Sequence, residues 1–122
     1  MRDRVVLRHI NDIREAKDGD RLGRLPVAVP TMTTDCVFAR AFRDIDPSVT
    51  VYVDHIVTDD LAFANIIAAE FGTKVILIEG RPAAKLPNAV KGWIREFDAE
   101  QRAHLIDGPA YDAAKRKGLI AA

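Results

Sequence analysis

The continuously apolar run Val75–Ile78 is the feature that most constrains what this chain can fold into. A strand with one face in water alternates apolar and polar residues, whereas a strand covered on both faces is apolar throughout. Two further β-rich runs, Leu25–Val29 and Val49–Val53, are bounded by turn-forming or charged residues, and Arg4–Ile10 is another candidate. These runs predict a sheet of about four strands with helices on both faces.

Segments with helical spacing separate the β-rich runs. The clearest is Asp59–Phe71, which Thr58 opens as a candidate N-cap and Gly72 closes as a left-handed C-cap. Asp35–Phe42 is a shorter helix of the same kind. Because helical crossovers connect parallel strands, the alternation predicts an α/β three-layer sandwich with a mostly parallel sheet, Rossmann-like or flavodoxin-like in type.

The C-terminal third is predicted to be helical. Val90, Trp93, Ile94 and Phe97 fall at i, i+3, i+4 and i+7, which places them on one apolar face. At 122 residues the chain is long enough for one hydrophobic core. We therefore expect a single α/β domain over residues 1–122, in which residues 88–118 form a helical C-terminal extension.

Charge and cysteine content limit the partners that can be expected. Eighteen Lys and Arg balance eighteen Asp and Glu, so the net charge does not indicate nucleic acid or an anionic membrane. Cys36 is the only cysteine, which excludes an internal disulfide and a Cys-x-x-Cys redox pair. Since no apolar run is long enough to cross a bilayer, a cytoplasmic protein without a membrane partner is expected.

In open parallel sheets, ligands bind beyond the carboxyl ends of the strands, so residues that follow a predicted strand are candidates for a site. Thr33, Thr34 and Cys36 follow the Leu25–Val29 run where a helix begins. Free backbone N–H groups at such a position bind anions and lower the pKa of a thiol, so these three residues are predicted ligand contacts. The alternative is that a threonine caps the helix and Cys36 is a small buried hydrophobe.

Two more groups follow the later runs. Arg81 can hold a carboxylate or phosphate through two hydrogen bonds, and Gly80 allows a ligand to approach the backbone closely. His55, Asp54 and Glu79 are the predicted acid–base groups. Alternation along an extended chain directs Asp54 and His55 to opposite faces, so no hydrogen-bonded dyad is expected. The alternative for the Glu79–Arg81 group is a plain turn.

Several cofactor signatures are missing from the sequence. No Gly-x-Gly-x-x-Gly follows a strand, and there is no phosphate-binding Gly-Lys-Thr loop and no Gly-x-Ser-x-Gly nucleophile elbow. The pattern therefore predicts neither a dinucleotide nor ATP, and the cofactor, if there is one, is left open.

One stretch carries a family resemblance. Ile56–Phe63, followed by a helix, Gly72 and the Lys74–Ile78 run, resembles the later half of PIN-like metal-dependent ribonucleases. The resemblance implies that Asp59 and Asp60 help to hold Mg²⁺ for phosphodiester cleavage. The alternative is that two acids in a first helical turn complement the helix dipole.

These observations leave three functions open. The leading hypothesis is binding or transformation of a small anionic metabolite at the carboxyl ends of the strands, with Arg81 as the anion contact. The PIN-like nuclease is the second. The third is a non-catalytic subunit, because the apolar surface of Asp59–Phe71 and Val90–Phe97 exceeds what one sheet face needs and predicts a homo-oligomer through these helix faces. Nucleic acid is not an expected partner of the leading hypothesis.

Overall fold

The structure is a computed structural model and describes residues 1–120. Its elements, in chain order, are α1 (Asp3–Ala16), α2 (Val37–Phe42), β1 (Thr50–Val51), β2 (His55–Val57), α3 (Leu61–Phe71), β3 (Val75–Ile78), β4 (Arg81–Lys85), α4 (Asn88–Asp98), a 3-10 helix (Ala103–Leu105) and α5 (Gly108–Arg116). No helix in the described range combines the length and the apolarity that a membrane crossing requires.

The four strands form one sheet in the order β1-β2-β4-β3, and every neighbouring pair is antiparallel. The β3–β4 connection consists of Glu79 and Gly80, whose φ angles are 51° and 79°. Two consecutive residues with positive φ form a type I′ turn, which matches the twist of the flanking strands. The β1–β2 connection is also short, with the bend at residues 53–54.

The predicted parallel, Rossmann-like or flavodoxin-like sandwich is therefore wrong. A parallel pair needs a crossover of a dozen or more residues, and the two hairpins are far too short for that. Arg4–Ile10 belongs to helix α1, where Val6, Ile10 and Ile13 form one buried face with helical spacing. The Leu25–Val29 run lies outside the sheet and contributes only a single bridge, from Ala28 to Ile106.

The Val75–Ile78 run is a strand as predicted, but its place in the sheet differs from the expectation. It is β3, at the edge of the sheet, and none of its residues is fully buried. Leu77 is 71% exposed. The continuously apolar sequence of β3 therefore does not mean that both faces of the strand are buried.

Helix α3 matches its predicted position, with one change at its start. Asp60 is the N-cap, since its carboxylate accepts from the N–H groups of Ala62 (3.0 Å) and Phe63 (3.4 Å). Thr58 is instead fully buried and its hydroxyl donates to Asp46. Gly72 ends the helix in the left-handed conformation, with φ of 65°, as predicted.

The hydrophobic core connects α2 with α3 and α4 through aromatic contacts. The ring of Phe42 meets Phe63 of α3 edge-on at 5.5 Å, and the ring of Phe38 meets Trp93 of α4 edge-on at 5.9 Å. The apolar helix faces that are expected to mediate oligomerisation pack into this core instead. The buried side chains are those of Phe63, Ile67, Val90, Trp93 and Phe97.

The two edges of the sheet differ. On the outer side of β1, the Val51 N–H donates to the carbonyl oxygen of Thr33 at 2.8 Å, so the loop before α2 occupies that edge. On the outer side of β3 no such backbone contact is formed by any residue between 1 and 120.

Candidate ligand-binding groove

An open groove of about 1210 Å³ lies between α1, the irregular segment 22–27, the end of α2 and the 3-10 helix. Its apolar lining comes mainly from Leu7, Leu22, Leu25, Pro26, Val27 and Leu105. Five arginines also line it: Arg4, Arg14, Arg24, Arg40 and Arg43. The acids of the lining are Asp3 and Asp44.

Segment 22–27 is held in place at both ends. The buried Asn11 of α1 binds the backbone of Leu22 twice, donating to its carbonyl oxygen (3.0 Å) and accepting from its N–H (2.7 Å). At the far end, the Ala28 N–H donates to the Leu105 carbonyl, and the Asp107 N–H donates to the Ala28 carbonyl, both at 2.8 Å. The segment therefore runs back along α1 as a fixed wall although it is neither helix nor strand.

Arg14 joins this wall to α2. Its side chain is 3% exposed, and its guanidinium donates to the carbonyl oxygens of Asp20 (2.6 Å) and Ala41 (2.5 Å). It also binds the Asp44 carboxylate through two bonds of 2.7 and 2.9 Å. The hydrogen bond to Arg14 lowers the pKa of Asp44, and the same bond raises the pKa of Arg14. All of these donors have acceptors within the fold, so Arg14 is structural.

Arg40 and Arg43 are also engaged. Arg40 binds Asp35 twice (2.6 and 2.9 Å) and reaches Asp107 and the Val27 carbonyl oxygen, both at 2.9 Å. The bonds to Asp35 raise the pKa of Arg40 above its ordinary value. Arg43 donates to the same Asp35 carboxylate at 2.7 Å. The positive charges of these two arginines are therefore balanced within the fold.

Arg4 and Arg24 differ from the other three. Both are exposed, and neither forms a hydrogen bond or an ion pair with any other side chain of residues 1–120. The carboxylate nearest to Arg4 in sequence, Asp3, is already bound by Arg102 (2.5 Å) and His104 (2.6 Å). The groove thus carries two guanidinium groups on different elements without an acidic partner, beside an apolar lining. A guanidinium of this kind binds carboxylate, sulfonate or phosphate groups.

Two of the predicted acid–base residues, Asp54 and His55, lie away from the groove, in the β1–β2 hairpin. Nδ1 of His55 is 2.8 Å from a carboxylate oxygen of Asp54, and the ring of Tyr52 stacks on His55 at 4.8 Å. This differs from the expected opposite orientation, because Asp54 lies in a bend and strand alternation does not apply to it. A carboxylate beside an imidazole orients the ring for acid–base chemistry, so this role of His55 stays a prediction.

The other predicted site residues occupy the opposite end of the sheet. Glu79 and Gly80 form the exposed hairpin turn, and Arg81 donates to Asp59 at 2.7 Å. The Leu86 N–H donates to the Asp54 carbonyl, which places Asp54 beyond the other end of β4. Five steps along an extended strand separate Arg81 from that end by roughly 16 Å. The structure therefore does not bring Arg81 together with Asp54 and His55, and the shared rim of parallel strands does not exist.

Asp59 and Asp60, the residues that the nuclease resemblance implies as metal ligands, each face a cation of the chain. Asp59 binds Arg81, and Asp60 accepts from Lys17 at 2.7 Å while it caps α3. Across residues 1–120, no three or more His, Cys, Asp or Glu side chains are grouped as metal ligands.

Thr33, Thr34 and Cys36 lie in the loop that leads into α2. The carbonyl oxygens of Thr33 and Thr34 accept from Val51 and Arg43 respectively. Cys36 is buried, and burial raises the pKa of its thiol to about 12. A thiol with that pKa is protonated at neutral pH and is a poor nucleophile.

The arginines of the groove were not recognised from the sequence. The missed signal is local: Val6, Ile10 and Ile13 follow a helical period, and a helix over these residues would have set Arg4 on a different face from the buried ones. The contribution of segment 22–27 has no such signal, because it depends on contacts with remote residues.

No protein-family model, curated protein or solved structure matches the chain.

Proposed function

We propose that the chain binds an amphipathic organic anion in this groove. The anionic group of the ligand contacts Arg24 and Arg4, and its apolar body lies on Leu7, Leu22 and Val27. One observation carries the proposal: two arginines without an acidic partner flank an apolar lining, while each of the three other arginines of the groove is paired with a carboxylate of the chain.

The size of the groove favours a ligand with a substantial apolar part. Sites for drug-sized ligands usually enclose about 300–1000 Å³, so a groove of about 1210 Å³ holds more than a metabolite of a few atoms. Burying roughly 100 Å² of apolar ligand surface contributes about 2.5 kcal/mol. Each exposed guanidinium contributes about 0.5–1 kcal/mol to binding an anion, and salt screens this part. We therefore expect affinity that salt weakens and does not abolish.

Two fluorescent probes test the contact with the anionic group and the contact with the apolar body separately. 1-Anilinonaphthalene-8-sulfonate carries an apolar aromatic body and a sulfonate, and N-phenyl-1-naphthylamine has the same body without the charge. We expect the sulfonate to bind more tightly than the neutral probe in a fluorescence titration, with a stoichiometry of one by calorimetry. The variant R4Q/R24Q should weaken binding of the sulfonate by about 5–30-fold and leave the neutral probe unaffected, since it removes only exposed charge.

Arg8→Gln is the matched control, because Arg8 is an exposed arginine of α1 that does not line the groove. R8Q should bind both probes as the unsubstituted chain does. If R4Q/R24Q binds the sulfonate with unchanged affinity, or if R8Q weakens it equally, the proposed contacts are refuted. Competition by dodecanoate, a mononucleotide and an acidic peptide then sorts the chemical class of the ligand.

The expectation of a cytoplasmic location stays a prediction from the single cysteine and the absence of long apolar runs. For the metal-dependent nuclease, no arrangement of residues in the described chain gives specific support.

A further inference from the structure

The outer edge of β3 presents backbone groups that have no partner within residues 1–120. The Lys85 N–H donates to the Lys74 carbonyl at 3.0 Å, so every second residue from Lys74 directs its backbone groups toward β4. The intervening residues, Val75 and Leu77, direct theirs away from the sheet. The opposite strand agrees, because the carbonyl of Pro82, which lies opposite Leu77, accepts from Thr58 on the β2 side.

This edge also lacks the features by which proteins usually prevent strand pairing. Edge strands are commonly protected by charged side chains, proline or a bulge, and Val75–Ile78 contains none of these. Leu77 is 71% exposed, and the other three side chains of β3 are partly exposed. An open apolar edge of this kind binds another strand.

The charges at the two ends of β3 are opposite and unpaired. Lys74 precedes the strand and Glu79 follows it, both are exposed, and neither forms an ion pair within the described residues. Lys74 also lies opposite Lys85 of β4. Like charges directly opposite each other destabilise a sheet, so an incoming carboxylate at this position is favoured.

We propose that β3 pairs antiparallel with β3 of a second copy of this chain and joins the two sheets into one. In the register that uses only strand residues, Ile76 lies opposite Ile76 of the second copy, and Val75 lies opposite Leu77. Each Val75–Leu77 pair then exchanges both of its free N–H and carbonyl groups. The arrangement has two-fold symmetry, so each copy contributes the same surface.

Charge complementarity selects a second copy in this orientation. In this register Lys74 of each copy lies opposite Ile78 of the other, one position from Glu79, so antiparallel pairing places the basic end of each strand next to the acidic end of the other. Parallel pairing would place lysine beside lysine and glutamate beside glutamate. An unrelated strand would need the same short aliphatic centre with an acid at one end and a base at the other, which a second copy provides at every encounter.

The interface is small, so the dimer is concentration-dependent. Pairing of short edge strands falls at the lower end of the size range of specific interfaces, below about 1200 Å², where complexes are weak and transient. Sedimentation equilibrium of the full chain from about 1 µM to 1 mM should show reversible conversion from monomer to dimer, with a dissociation constant on the order of 10 µM.

Leu77→Arg tests the apolar contact at the centre of the interface. The side chain is exposed in the monomer, so we expect L77R to fold normally by circular dichroism and to raise the dissociation constant about 100-fold. Leu61→Arg is the matched control, because Leu61 of α3 is 55% exposed and lies outside the proposed interface. L61R should dimerise as the unsubstituted chain does.

A charge swap tests the orientation. K74E and E79K should each weaken the dimer by about 3–10-fold, and the combined K74E/E79K variant should restore it, since opposite charges meet again. Restoration supports the antiparallel pairing. A double variant weaker than both single variants contradicts it. A chain that stays monomeric at 1 mM, or an L61R variant that dissociates as strongly as L77R, overturns the proposal.

Discussion

Arg14→Met tests whether the wall of the groove is held by bonds to backbone carbonyls or by an ion pair. Methionine keeps an unbranched apolar stem and removes every donor of Arg14. Two acceptors, the carbonyl oxygens of Asp20 and Ala41, then lose their donor, and the Asp44 carboxylate loses its partner. The bonds to the carbonyl oxygens and the ion pair with Asp44 contribute very different amounts to the free energy of unfolding.

The magnitude follows from exposure. The Ala41 carbonyl loses its donor in a buried site, which costs about 1–3 kcal/mol, whereas Asp20 is exposed and its carbonyl can bind water, so its share is about 1 kcal/mol and the two carbonyls together account for about 3 kcal/mol. Asp44 is 65% exposed and becomes hydrated when it is released, so its share is about 0.5–1 kcal/mol. We expect Arg14→Met to lower the free energy of unfolding by about 3–4 kcal/mol, and Asp44→Asn to lower it by about 1 kcal/mol or less.

Urea unfolding followed by the fluorescence of Trp93 measures both values, since this tryptophan is buried in the core and becomes exposed on unfolding. With a slope of about 1.3 kcal/mol per molar urea, the midpoint of Arg14→Met should fall by roughly 2–3 M and that of Asp44→Asn by less than 1 M. Equal shifts in the two variants would refute the reasoning, because they would mean that the ion pair alone carries the contribution of Arg14.

Three further predictions concern single groups. Burial raises the pKa of Asp98, whereas an arginine partner lowers that of Asp35. Asp98→Asn should therefore raise Tm at pH 7 and Asp35→Asn should lower it. Thermal scans should show the Asp98 gain fading as the pH falls through its raised pKa and vanishing below the ordinary carboxyl pKa of 3.8, and the Asp35 loss fading as the pH falls below 3.8 and vanishing below its lowered pKa. With a thiol pKa of about 12, native Cys36 should react with a disulfide reagent at pH 8 at least about 100-fold more slowly than the unfolded chain, and rapid native labelling would contradict its burial. Gly80→Ala should lower unfolding free energy by about 1 kcal/mol in urea, because φ is positive there, while Gly23→Ala, with open space around it, should change little.

The helices that could be predicted are those whose signals are local. A 3.6-residue apolar period and a glycine in the left-handed conformation place α3, and the same period places α4. Strand direction is not a local property. Strand β4 reads Arg-Pro-Ala-Ala-Lys and has no β-branched or aromatic residue, so its propensity is low, and it becomes a strand because β2 and β3 pair with it from either side.

The candidate site was the least predictable part. The groove is assembled from residues 3–14, 22–27, 40–44 and 104–105, which are remote from one another in the chain. Whether an arginine is available to a ligand depends on its partners, and the acids that saturate Arg40 are five and 67 residues away. No spacing pattern in the sequence indicates which arginines are free to bind a ligand. The rule that ligands bind beyond the carboxyl ends of the strands holds for parallel sheets and does not apply to this antiparallel one.

The carbonyl of Thr33 has a consequence for assembly. By occupying the outer edge of β1, it leaves the sheet only one side on which another strand can be added. Pairing of β3 with β3 of a second copy would occupy the open edge of both molecules. The outer strands of the enlarged sheet would then be the two β1 strands, each covered by its loop. If β3 pairs as proposed, residues 1–120 form a closed pair with no second open edge from which a fibre could extend.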